Sequence, residues 1–74
     1  MWSKGNLMIK KEIIHYQIKH YDETSSFGIN EGKISKLSLS QNGKIIANYD
    51  RGWDIKPISE GAKTALEILL KKYN

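Results

Sequence analysis

The chain has 74 residues and a mass of 8.5 kDa, enough for one small domain. Twelve Lys and Arg against eight Asp and Glu leave a formal charge of +4, while 39% hydrophobic residues exclude a disordered tail. The absence of cysteine excludes a disulfide staple, a thiol nucleophile and a thiolate metal site. No apolar run approaches the roughly 20 residues that span a bilayer, and Met1-Trp2-Ser3-Lys4-Gly5 leads into no signal-peptide core. The expectation is a soluble, cytoplasmic, basic domain over residues 1–74, monomeric or weakly homodimeric. So short a chain buries only about 60% of the surface exposed by its unfolded form. An enclosed active-site cavity would take volume from that core, which favours a binding surface over an enzyme.

In the N-terminal third, Ile14, Tyr16, Ile18 and His20 alternate with His15, Gln17, Lys19 and Tyr21. This predicts a strand with its even positions on the core. Leu7 and Ile9 are expected across from it, joined through Lys10-Lys11-Glu12. Trp2 has the wrong parity for that face, and a bulge near Gly5-Asn6 would correct it. Asp22 to Gly32 reads as a long loop.

The middle reads as a β-hairpin around Gln41-Asn42-Gly43. A two-residue Asn42-Gly43 loop would place leucines on the same face as asparagine. A three-residue loop with Gly43 left-handed pairs Leu39 with Ile45, Leu37 with Ala47 and Ser35 with Tyr49. That register gathers Leu37, Leu39, Ile45, Ala47 and Tyr49 on one face, sets Ser40 opposite Lys44 and is preferred. Asp50-Arg51-Gly52-Trp53-Asp54 then joins the last strand to the helix approach.

Ala62, Ala65, Leu66, Leu69, Leu70 and Tyr73 form one stripe of a 3.6-residue period. Ser59 is a natural N-cap, Glu60 suits the positive helix end, and Lys71 and Lys72 suit the negative end. A helix is predicted from Ser59 to Tyr73, with Leu66, Leu69 and Leu70 buried against Ile18, Leu37, Leu39 and Ile45. The fold class is α+β: a four-stranded antiparallel sheet in ββββα order, with the C-terminal helix on one face.

Three stretches carry a resemblance: Tyr21-Asp22-Glu23, Phe27-Gly28-Ile29-Asn30-Glu31-Gly32-Lys33-Ile34-Ser35-Lys36-Leu37, and Ala47-Asn48-Tyr49-Asp50-Arg51-Gly52-Trp53-Asp54-Ile55. Together with the Leu-rich helix ending Lys72-Tyr73-Asn74, they resemble a family of small uncharacterised proteins of Gram-positive bacteria, their phages and mobile elements. The Asn-Tyr-Asp-Arg-Gly-Trp-Asp run is the most specific part. Lys10-Lys11-Glu12 departs from the pattern, where a tighter Gly-containing turn is expected. The resemblance implies this fold and a mobile-element context, but no mechanism and no site residues.

Chemistry-bearing residues are sparse. The acids Asp22, Glu23, Glu31, Asp50 and Asp54 match no calcium loop and read as turn and cap residues. Arg51, the single arginine, lies between Asp50 and Asp54 and is expected in a local ion pair. His15 and His20 fall on opposite faces of one strand and cannot share a metal. Trp53 is expected to close one end of the core. Arg51 and Trp53 also stand as candidates for a partner-binding loop.

One feature rises above solvated surface. The predicted register turns His15, Gln17, Lys19 and Tyr21, then Lys36, Ser38 and Ser40, then Lys44, Ile46 and Asn48 outward, with no acid before Asp50. A basic, hydrogen-bonding sheet face suits a phosphate backbone. The first functional reading is a small non-enzymatic domain that binds another protein. The alternative is a weak nucleic-acid-binding domain using Gln17, Lys19, Tyr21, Lys36, Lys44 and Asn48. No cofactor and no metal is implied.

Overall fold

The computed structural model describes residues 1–74. Strand β1 (Trp2–Ile9) runs antiparallel to β2 (Glu12–His20), with Ile9 opposite Glu12 across the turn. The turn residues Lys10 and Lys11 take left-handed φ of 49° and 69°. That is the backbone of a two-residue primed hairpin turn, whose twist matches the flanking strands. The turn is therefore tight without a glycine. Odd positions of β1 and even positions of β2 share one side, which buries Ile9, Ile14 and Ile18.

Trp2 keeps its outward parity: it pairs with Lys19 in an unbroken ladder and stays 59% exposed. The bulge expected at Gly5-Asn6 is absent. The regular register sets Gly5 opposite Tyr16, whose ring lies over it; a Cβ there would meet the Tyr16 hydroxyl at 2.8 Å. The same register joins Ser3 Oγ to His20 Nε2 at 2.9 Å. A bulge would break both contacts.

Strand β3 (Ile34–Gln41) follows a long connection folded as one turn at Ile29–Glu31. Ile29 is buried there. Gly28 packs so closely on this loop that an added Cβ would stand 2.3 Å from the Gly32 carbonyl oxygen. An irregularity opposite Lys19 and His20 absorbs Ser35, so both Ile34 and Leu37 reach the core.

Strand β4 (Lys44–Asp50) corrects the predicted hairpin. Gly43 has φ of 75° as expected, but Asn42 also lies at 54°, making a two-residue loop with Gln41 opposite Lys44. Ser40 faces Ile45, and a bulge then sets Leu39 opposite Ala47 and Leu37 opposite Tyr49. The favoured Asn-Gly turn and the buried face are thus both kept, at the cost of one unpaired residue. Ile45 turns outward instead of inward, while Ile46 packs against the core. Ser35 does not face Tyr49.

The sheet has five strands, not four. After a turn at Asp50–Gly52, with Arg51 at φ 58°, β5 (Trp53–Ile55) pairs Trp53 with Tyr49 and Ile55 with Asn48. The strand order is β1-β2-β3-β4-β5, a simple meander. Helix α1 (Glu60–Tyr73) begins at Ser59, whose Oγ accepts from the Ala62 N–H at 3.1 Å. Ala62, Ala65 and Leu69 are buried, whereas Leu66, Leu70 and Tyr73 are half-buried at the flanks. The helix packs chiefly on β1, β2 and β3.

Asn74 ties the helix end to the β2–β3 connection. Its side-chain oxygen accepts from the Lys33 and Ile34 N–H groups at 2.8 and 3.0 Å. Its amide nitrogen donates to the Ile29 carbonyl at 3.1 Å. The Tyr49 hydroxyl donates to the Phe27 carbonyl at 2.7 Å and fixes the same connection to β4.

Candidate nucleic-acid interface

The helix covers one side of the sheet and leaves the other open. Even positions of β1, odd positions of β2, and Lys36, Ser38 and Ser40 of β3 line the open side. A shallow concavity of about 550 Å³ crosses its middle between Lys4, Asn6, His15, Gln17, Ser38 and Ser40. Asn48 joins this surface from β4, opposite Ser38, and its amide donates to Asp54 at 3.3 Å.

At the end nearest the β2–β3 connection the face becomes cationic and aromatic. The Lys19 ammonium stands 5.9 Å from the Trp2 ring centroid and 5.7 Å from that of Tyr21. Both distances lie in the cation–π range. A second concavity, about 680 Å³, brings Lys19, Tyr21, Phe27, Ser35, Lys36 and Arg51 together. Asp22 and Glu23 line it too, so three cations there face two acids. Lys36 reaches the Asp50 carboxylate at 3.8 Å, a loose and exposed pair that salt screens and that contributes little to stability. This overturns the expected local pair for Arg51: Asp50 is taken by Lys36, and Arg51 forms no ion pair. Its left-handed backbone turns it toward the concavity lined by Lys19 and Lys36.

The structure therefore unites Gln17, Lys19, Tyr21, Lys36 and Asn48 on one surface and adds Arg51 at its end. It does not bring Lys44 there. The two-residue turn pairs Lys44 with Gln41, on the parity of Leu39 and the helix side. Trp53, a candidate for a partner-binding loop with Arg51, lies on β5 away from this face. Its ring meets Tyr49 edge-on at 5.1 Å, half-buried against the core, which is the closing role expected of it. Two aromatics were missed, Trp2 and Phe27. The signal for Trp2 is its outward parity, which needs no bulge to correct it. Phe27 gave no signal, because a loop has no period.

On the helix side, His20 Nε2 shares a hydrogen bond with Ser3 Oγ, and its ring lies tilted by 41° against Tyr73, centroids 4.9 Å apart. His15 lies on the opposite face, bonded through Nδ1 to the Asn6 side chain. The Tyr16 and Tyr73 rings stand 6.4 Å apart. Hydrogen bonding between the two phenols holds Tyr73 below the ordinary tyrosine value, with Lys72 and Ser3 helping. The same interaction, followed by burial, pushes Tyr16 above it. No three of the His, Asp and Glu side chains converge as a metal site would require.

A single helix on a five-stranded antiparallel meander, with one sheet face uncovered, is an α+β architecture that presents an open, polar and aromatic surface. The chain belongs to the family described as a domain of unknown function, DUF7678, whose model matches residues 1–74. No curated protein and no solved structure matches it. No helix is long and apolar enough to cross a membrane.

Proposed function

We propose that this is a non-enzymatic, cytoplasmic binding domain whose ligand is single-stranded nucleic acid, held on the open sheet face. The observation that carries the reading is the Trp2–Lys19–Tyr21 arrangement beside Phe27, Lys36 and Arg51. Single strands are bound by cationic grooves that track phosphates and by exposed rings on which bases stack. Trp2 and Phe27 are about 60% exposed, and neither ring is needed by the core. Lys19, Lys36 and Arg51 supply three charges within one concavity. Gln17, Ser38 and Asn48 offer hydrogen bonds along the rest of the face. A mobile-element setting, implied by the sequence resemblance, suits such a role.

The test is fluorescence anisotropy with labelled single-stranded DNA and RNA across a salt series. Three phosphate contacts predict a slope of log affinity against log salt of about −2. Lys36→Glu with Arg51→Glu should abolish binding, and Phe27→Ala should weaken it roughly 5- to 100-fold if one base stacks there. Lys44→Glu should leave it intact, since Lys44 is on the other side. Equal effects of the Lys44 and the Lys36/Arg51 reversals would overturn the assignment of this face. A protein partner is the second reading. It is favoured by Met8, Ile13 and Ile45, which stand exposed at the opposite end of the same face.

A further inference from the structure

Strand β1 is the edge of the sheet, and its free side can be read residue by residue. The Met1 ammonium donates to the His20 carbonyl at 3.1 Å, and the His20 N–H donates back to Met1 at 2.9 Å. Antiparallel ladders alternate between bonded and non-bonded pairs. Ser3, Gly5, Leu7 and Ile9 therefore turn their backbone groups toward β2. Trp2, Lys4, Asn6 and Met8 turn theirs away, and no other backbone or side-chain group meets them. Each of these four residues leaves one N–H and one C=O unpaired along the edge. The edge is eight residues long and unbroken in register, with no proline and no bulge to blunt it.

We infer that β1 pairs antiparallel with β1 of a second copy, about a two-fold axis through Gly5, to make a continuous ten-stranded sheet. The register follows from counting. Centred on Gly5, Trp2 meets Met8 of the second copy and Lys4 meets its Asn6, so all four free residues of each copy are bonded. Centred on Asn6, Trp2 is left out. Centred on Lys4, Met8 is left out and two lysines oppose each other, which is unfavourable. The Gly5 register also covers the two most exposed apolar side chains of the strand, Trp2 at 59% and Met8 at 68%, with one another. A thioether against an indole is a favourable contact. At the axis, glycine meets glycine, and the Tyr16 ring already shields each from the helix side.

An isologous contact of this kind needs no further partner. It would set the open faces of two copies side by side and cover Trp2, leaving Tyr21 and Phe27 as the free rings of each face, but it stands without the nucleic-acid reading and is tested in its absence. Sedimentation velocity over a concentration series should show a reversible monomer–dimer equilibrium. Isotope-filtered NMR on mixed labelled and unlabelled protein should show an inter-copy Hα–Hα cross-peak between Ser3 and Leu7, a non-bonded pair in this register. Asn6→Pro removes a donor that the monomer does not use and should leave a folded monomer. Met8→Glu, at an exposed side chain, should weaken the dimer without touching the backbone. The Lys36/Arg51 reversal should leave it unchanged. A protein that stays monomeric throughout, or a dimer lacking the Ser3–Leu7 cross-peak, would overturn the inference.

Discussion

Replacing Asn74 by alanine removes three hydrogen bonds at once: those from Lys33 N–H and Ile34 N–H, and that to the Ile29 carbonyl. They are partly buried, and Gly32 is bare so that the carboxamide can fit; a Cβ there would stand 2.2 Å from it. No neighbour is placed to replace the lost groups. At about 1 kcal/mol net for each bond, Asn74→Ala should cost about 3 kcal/mol. For a domain of this size that lowers the melting temperature by about 12–24 °C. Asn74→Asp separates the parts: a carboxylate keeps both acceptor contacts but faces the Ile29 carbonyl with no donor. Its stability should fall between wild type and alanine. Thermal unfolding by circular dichroism measures the order, and amide exchange at Lys33 and Ile34 localises it. An unchanged melting point for Asn74→Ala, or an aspartate variant less stable than the alanine, would refute the account of this anchor.

Lys11→Gly should stabilise the protein: the left-handed φ of 69° is strained for lysine and costs about 1–2 kcal/mol, against about 0.5–1 kcal/mol for the freedom of glycine. A melting point at or below wild type would contradict the strain. The tyrosine pair predicts a pH signature. As pH rises, Tyr73 ionises before an ordinary tyrosine, so stability gains just below pH 10.0 and holds above it; Tyr16 ionises later, so stability then falls as pH rises through its raised value. Tyr73→Phe should return Tyr16 toward the ordinary value, read by tyrosinate absorbance or ring NMR shifts, and a Tyr16 titration unmoved by Tyr73→Phe would refute the coupling.

The helix, the β2 face and the buried Leu37, Leu39, Ala47 and Tyr49 were legible because periods of 3.6 and 2 persist over several repeats. The errors cluster where a period is interrupted. One bulge after Ile45 satisfied both the Asn42-Gly43 turn and the apolar face, two demands that parity alone had set against each other. That single residue sent Ile45 outward and took Lys44 off the candidate face. Strand β5 has three residues, too few for alternation to register. The candidate interface was half visible. Lys19, Tyr21 and Lys36 follow from strand parity, whereas Arg51 and Phe27 reach the same concavity through loop geometry that no periodicity encodes. The anchoring role of Asn74 depends on contacts 40 to 45 residues away in the chain and left no local trace.

The meander order has a consequence for how the molecule assembles. Every strand lies beside its neighbour in the chain, and two of the turns contain only two residues. Such hairpins close on a scale of about 1–10 μs, with little loop entropy to overcome. The contacts that span the greatest separation are left to α1 and Asn74, which bind surfaces that exist only once β1, β2 and β3 are in place. On this topology the helix is expected to dock late, and its C-terminal latch to form after the rate-limiting barrier. Weakening that latch should leave the folding rate almost unchanged and appear instead as faster unfolding.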